Sequence, residues 1–234
     1  MEKNSLKIVS VIPARGGSKS IPQKNIRLLN GIPLVAYSIK YSISCPIINN
    51  TVVSTDSIEI ANISKKYGAE IPFIRPPELA LDDTTDYPVM HHALETLEKL
   101  YGEKIKAIVL LRPTSPLRPN GLIEKGFEII KSLPDVTSVR SVALSKEHPY
   151  RQWQLNDNYI YGYEDGVNEP YNIPRQKLPK IYFQTGDIEI ILRKTLLNGS
   201  VSGNKIAPLI IDHDQILDID NKVDLQIAES KLSK

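Results

Sequence analysis

Three basic side chains, Arg15, Lys19 and Lys24, fall within one short stretch, Pro13-Ala14-Arg15-Gly16-Gly17-Ser18-Lys19-Ser20-Ile21-Pro22-Gln23-Lys24-Asn25, and Arg27 follows it. Adjacent glycines let backbone N–H groups turn toward a ligand without Cβ interference. Such donors, joined by cations, suit a triphosphate, whose charge must be offset before a nucleophile approaches phosphorus. The spacing matches neither the P-loop nor the dinucleotide fingerprint. A solvated basic loop is the plainer alternative.

Two further stretches carry chemistry. In Leu111-Arg112-Pro113-Thr114-Ser115-Pro116-Leu117-Arg118 two prolines stiffen a turn, while Thr114, Ser115 and the arginines offer donors to a carboxylate or phosphate. A rigid crossover loop would look the same. In Asp218-Ile219-Asp220, alternation along an extended segment puts both carboxylates on one side. They could hold Mg²⁺ with phosphates and water completing the octahedron. Equally, Asp220 or Asn221 could simply cap a last helix.

These stretches need a scaffold. Ile8 to Pro13, Thr51 to Thr55 and Ala107 to Leu111 are short β-rich runs, apolar on both faces, as central strands of a parallel sheet covered by helices are. Helical patterns lie between them: Pro33 to Ser44; Ile58 to Tyr67, capped by Asp56 or Ser57 and ended by Gly68; and Tyr87 to Tyr101. The last has a stripe of Val89, Ala93, Leu94, Leu97 and Leu100 and stops at Gly102. This β-α-β rhythm predicts a doubly wound α/β fold. It breaks over 148–184, a stretch with Trp153, many tyrosines and Pro149, Pro170, Pro174 and Pro179. That segment reads as an insertion serving as a small lobe, a lid or a subunit contact. Strand character returns at Ile188 to Leu192 and Ile206 to Ile211, and a helix over Val223 to Leu232 follows. The two basic stretches then sit at the carboxyl ends of strands, where α/β sheets bind ligands.

Composition sets outer limits. The 234 residues, 41% hydrophobic and 24% charged, suit one globular domain, 1–234. A net charge of +2, without a basic stripe interleaved with aromatics, disfavours nucleic acid as a partner. The lone Cys45 forms no internal disulfide and reads as a buried structural thiol. With neither a signal-peptide pattern nor a membrane-length apolar run, a cytoplasmic protein with no membrane partner is expected. His91 and His92 read as structural or surface residues, Trp153 and its neighbouring tyrosines as lobe or dimer packing, and Lys65-Lys66 as cations at a helix C-terminus.

Taken in order, five motifs resemble the acylneuraminate cytidylyltransferases, or CMP-sialic acid synthetases, over Ile8 to Ala228. They are the Arg15 to Asn25 loop, Arg75-Pro76-Pro77-Glu78-Leu79-Ala80, the Pro113 to Arg118 turn, Pro174-Arg175-Gln176-Lys177-Leu178-Pro179 and Asp218-Ile219-Asp220. The resemblance implies a Rossmann-like, three-layer α/β/α nucleotidyltransferase fold with a small dimerisation insertion, and hence a homodimer. It implies that the anomeric hydroxyl of a nonulosonic (sialic-type) acid attacks the α-phosphorus of CTP, for bacterial surface glycan synthesis. Ala14, Arg15, Gly16, Gly17, Ser18, Lys19, Lys24, Asn25, Arg75, Thr84 and Asp86 would then bind the nucleotide. Arg112, Thr114, Ser115, Arg151, Arg175, Gln176 and Gln184 would face the sugar. Asp218 and Asp220 would hold Mg²⁺ (or Mn²⁺), and with Arg15 and Lys24 form the catalytic set. The resemblance identifies no proton acceptor.

Two departures bear on the acceptor. Members usually carry Gln where this chain has Arg112, a fixed cation in the sugar pocket. They often carry Asn-Gly-Ala-Ile-Tyr where it has Thr185-Gly186-Asp187-Ile188-Glu189, which places two carboxylates near the acceptor. Hydroxyl and N-acyl patterns are read by such residues, so legionaminic acid or another nonulosonate stands beside N-acetylneuraminate. Two rival functions are a metal-dependent glycosyltransferase using the Asp218/Asp220 pair and a non-catalytic nucleotide-binding homologue.

Overall fold

A computed structural model describes residues 7–232, so both ends of the expected 1–234 domain lie outside the described residues. The described chain begins with β1 (Lys7–Pro13), the short pair β2 (Leu28–Leu29) and β3 (Ile32–Pro33), and α1 (Leu34–Ile43). Then come β4 (Asn50–Ser54), α2 (Ile58–Lys66), α3 (Asp86–Tyr101), β5 (Ile105–Leu110) and α4 (Leu122–Ser132). Strand β6 (Ser138–Leu144) leads to β7 (Trp153–Asn156), β8 (Tyr159–Gly162) and the long β9 (Tyr182–Leu192). Helix α5 (Arg193–Leu197), strand β10 (Ile206–Ile210) and helix α6 (Lys222–Leu232) complete it.

The main sheet runs β10-β6-β9-β5-β1-β4. Strand β1 pairs in parallel with β4 and β5, and β10 in parallel with β6. The sheet is nevertheless mixed, because β9 is antiparallel to both β5 and β6. The Ile188 to Leu192 run is thus the end of an eleven-residue strand. The connection that carries the β7–β8 hairpin closes where it opened, Ser145 N donating to Ile181 O at 2.9 Å, so β9 starts beside the end of β6 and runs back along it antiparallel.

Helices cover both faces. Val35 and Ile39 of α1, Ile60 of α2 and Leu122, Ile123 and Phe127 of α4 pack on one side; Val89 to Leu97 of α3 and Leu196 of α5 pack on the other. A third cluster joins Leu29 and Leu34 to Leu217, Ile219, Leu225 and Ala228, so α6 docks beside the start of α1. Leu100, expected on the α3 stripe, is exposed instead, because Tyr101 takes the core-facing place in that last turn. Ser57 caps α2 by accepting from Ile60 N at 3.4 Å, and Gly68 and Gly102 take the left-handed conformation just past α2 and α3. Cys45 is buried just beyond α1.

Helix α4 and strand β6 have no counterpart in the sequence-based expectations. Gly126 weakens the helical signal, yet a Cβ there would collide with Ile190 Cδ1, so glycine lets α4 sit close on β9. Among the described residues no helix is long and apolar enough to cross a membrane.

Candidate active site

Parallel strands β1, β4 and β5 end on the same edge of the sheet, so their following loops meet. After β1 the chain turns under the control of its own neighbours. Ala14 N donates to Ser54 O at 2.9 Å, Gly16 N to Asp56 Oδ1 at 2.9 Å, and the buried Asn25 ties its Nδ2 to Arg15 O at 2.8 Å. The N–H groups of Ala14 and Gly16 are therefore occupied within the chain rather than turned to a ligand. Gly16 is needed for approach: its Cβ would lie 3.2 Å from Ser57 Cβ, whereas Gly17 has open space. The side chains carry the cationic role. Arg15 Nη1 pairs with Asp82 Oδ1 at 2.8 Å, and Lys19 contacts the same carboxylate. The hydrogen bond from Lys19, with Arg15 beside it, holds Asp82 below its usual carboxylate range.

The acidic segment meets this loop. Lys24 Nζ donates to Ile219 O at 3.0 Å and lies 3.5 Å from Asp220 Oδ1, while Ile219 N donates to Thr114 O at 2.8 Å. One extended residue thus stitches the first loop, the second turn and the C-terminal acids together. Leu217 and Ile219 are buried and Asp218 and Asp220 exposed, so the two carboxylates share a side. The capping alternative resolves in favour of Asn221, whose Oδ1 accepts from Val223 N at 2.8 Å and Asp224 N at 3.1 Å. Asp224 reciprocates to the N–H groups of Asp220 and Asn221. The side chain of Asp220 is left to the site.

The second turn is stiffened from below by Arg118, whose buried guanidinium bonds Ser38 Oγ and the carbonyls of Arg112 and Asp187. Burial lowers its pKa to about 10. It is a structural clamp, not a free anion donor. On β9 the ladder with β6 slips between Arg140 and Val142, and Gly186 adopts φ +77°. A Cβ on Gly186 would lie 3.7 Å from Ser115 Oγ and 3.8 Å from Asp218 Oδ2, so this bulge brings the turn and the acids against β9. Ser115 Oγ and Asp187 Oδ2 are buried without hydrogen-bond partners among the described residues, and burial raises the Asp187 pKa. Arg112 contacts Asp86 and lies 2.8 Å from Glu189 Oε1. Burial alone would lower its pKa, but the charges of Glu189 and Asp86 more than offset that and hold it above the ordinary value.

A cleft of about 450 Å³ opens over these groups, lined by Arg15, Ser18, Lys19, Lys24, Asn25, Arg75, Thr84, Asp86, Arg112 and Thr114. Arg75 is anchored to Ser54 and Leu79, and its burial lowers its pKa to about 10. Four residues expected to face the sugar lie apart from this cleft, and Asp218 and Asp220 adjoin it through Lys24 and Thr114 without being among its lining residues. Arg151, Arg175 and Gln176 line a separate cavity of about 610 Å³ at the base of the insertion, with Lys146 and Lys180. Gln184 is at the root of β9, between Arg140 and Glu189. Trp153 packs on Tyr171, His92 edges onto Phe73, and His91 pairs with Glu95, so these side chains have structural partners as expected. Among the described residues no group of three or more His, Cys, Asp or Glu forms a ready metal cage. The Asp218/Asp220 pair fits an ion that takes its other ligands from phosphate and water.

Asp56 and Arg140 also build this region, and sequence reasoning gave them no site role; Asp82, expected with the segment to Asp86 to flank the cytidine, lines the cleft beside Arg15. For Arg140 a signal existed: a charge within the apolar strand Ser138-Val139-Arg140-Ser141-Val142, matched by Glu189 in an equally apolar run.

Residues 9–165 match the family model described as cytidylyltransferase. The chain is 34% identical over 229 residues to the CMP-N,N'-diacetyllegionaminic acid synthase of Legionella pneumophila, covering 96% of this chain and 95% of that one. It is 33% identical over 223 residues to the post-translational flagellin modification protein B of Campylobacter coli, covering 95% and 93%. Among solved structures, a CMP:2-keto-3-deoxy-manno-octonic acid synthetase complexed with CTP superposes with a TM-score of 0.71 over 97% of this chain and 98% of that one, at 13% identity. That likeness bears on the fold alone.

Proposed function

The chain belongs to the cytidylyltransferase family, and on that premise we propose that it couples CTP to a nonulosonic acid, yielding a CMP-sugar and pyrophosphate. The observation that supports this reading is the stitch of Lys24 and Thr114, both lining the cleft, to the Asp218-Ile219-Asp220 segment. In the reaction the anomeric hydroxyl oxygen of the acid bonds the α-phosphorus and its proton is released to water, the α–β bridging P–O bond breaks, and pyrophosphate takes the electron pair. Arg15, Lys19 and Lys24 meet the phosphates, which must displace Asp82 from Arg15 and Lys19 as the nucleotide enters. Asn25, Arg75, Thr84 and Asp86 border the ribose and cytosine. Arg112, Thr114 and Ser115 bound the acceptor side.

Asp218 and Asp220 would hold Mg²⁺ or Mn²⁺, which supplies further neutralisation of phosphate charge. The exposed apolar hairpin, with Leu155, Tyr159 and Ile160 uncovered, is a homodimer contact through which Arg151, Arg175 and Gln176 reach a neighbour's cleft. The proposed setting is cytoplasmic, supplying activated sugar for bacterial surface glycans. The deciding experiment mixes CTP, Mg²⁺ and a panel of nonulosonic acids, including N,N'-diacetyllegionaminic and N-acetylneuraminic acid. Pyrophosphate release with at least one acid is expected; CTP binding without release from any acid would favour the non-catalytic reading.

A further inference from the structure

The two acceptor-side departures, Arg112 and Glu189, meet in space. Glu189 is 1% exposed; its Oε1 lies 2.8 Å from Arg112 Nη1 and 3.0 Å from Gln184 Nε2, and its Oε2 2.6 Å from Arg140 Nη2. Arg112 Nη2 contacts Asp86, and Arg140 bonds Gln184 Oε1 at 2.9 Å and Ser202 Oγ at 2.8 Å. Of these groups only Asp86 and Arg112 line the cleft. A carboxylate this far from water persists only with its charge matched and its oxygens bonded. Glu189 is therefore turned inward, its oxygens facing Arg112, Arg140 and Gln184 and not the cleft. What it does is fix Arg112: with one η nitrogen at Asp86 and the other at Glu189, a side chain rich in rotamers is immobilised before substrate arrives.

We propose that Glu189 and Arg140 are positioning residues for Arg112, presenting its guanidinium ready-oriented to the acidic acceptor, so that Glu189 governs acceptor use without touching the acceptor. This rests on the cytidylyltransferase reading above. It replaces the expectation that the carboxylate at 189 reads the sugar directly.

The test is steady-state kinetics of wild type, Glu189→Gln, Arg112→Gln, the double variant and Arg140→Gln, with the acceptor and CTP varied separately. Glu189→Gln is expected to raise the acceptor KM by about tenfold or more while the CTP KM stays within about twofold. Because Glu189 acts through Arg112, the double variant is expected to match Arg112→Gln rather than multiply the losses. Arg140→Gln is expected to show a smaller rise confined to the acceptor. Multiplicative losses, or equal rises in both KM values, would overturn the inference, as would an unchanged acceptor KM in Arg140→Gln. If Glu189→Gln lacks a cooperative melt, Arg140→Gln decides alone. A wild-type enzyme that turns over no acid in the panel sinks the functional reading and this inference with it; one that turns over beside an unaffected Glu189→Gln sinks only the inference.

Discussion

At the scale of single residues, the proposed site rests on Lys24 Nζ and Asp220 Oδ1 lying 3.5 Å apart. Lys24→Ala removes a preorganised cation from developing phosphate charge, and kcat is expected to fall by about 100-fold or more, read by pyrophosphate release. Asp220→Ala is expected to lose comparable Mg²⁺-dependent activity; retention of that activity would remove Asp220 from the metal site. Its neighbour provides the contrast. Asn221 caps α6, so Asn221→Ala is expected to cost about 1 kcal/mol in thermal or chemical unfolding while turnover persists. Residues of this kind were legible in the sequence because their types and loop spacing are local properties. The pairing of Arg112 with Glu189 was not, since 77 positions separate them (189 − 112) and only the sheet joins them. Read singly, Arg112 is a free cation and Glu189 a substrate contact; in the fold the two are paired and Glu189 faces inward.

At the scale of elements, the loops hold still because the layers beneath them are pinned. Glu98 near the end of α3 accepts from Arg193 Nε at 2.6 Å and Nη2 at 2.9 Å at the start of α5, and from Ile105 N at 2.9 Å at the start of β5. The Arg193 hydrogen bond, with Ile105 N–H and Lys104, lowers its pKa to about 2 against an ordinary 4.5. A carboxylate depressed on folding stabilises the native state above its unfolded pKa and loses that contribution as pH falls through the folded value. Glu98→Gln is therefore expected to destabilise by about 1–2 kcal/mol at neutral pH. The gap between variant and wild type should close as pH drops from about 4.5 to about 2, checked by denaturant titration across pH. Strands β1, β4 and β5 and helices α1 to α3 were readable from periodicity and caps. The direction of β9 was not: it is set by how the chain returns from the hairpin, a fact of connection and not of composition.

At the scale of the whole molecule, the β7–β8 hairpin carries apolar side chains with no cover of their own, Leu155, Tyr159, Ile160, Tyr161 and Tyr163 among them. Patches of this sort mark contacts with another chain. Leu155→Arg is expected to shift sedimentation from dimer toward monomer and to lower acceptor use, because Arg151, Arg175 and Gln176 sit apart from their own cleft. An unaltered mass with unaltered kinetics would place these residues outside the reaction. The hairpin also leaves and re-enters the sheet at one doorway: Leu144 pairs with Tyr182, and Ser145 N donates to Ile181 O at 2.9 Å. Everything from 145 to 181 is accordingly a cassette clipped to two adjoining strands. A lineage could lengthen, trim or exchange it without rethreading the six-stranded sheet, so acceptor contacts carried by the cassette can change while the nucleotide-side loops stay in place.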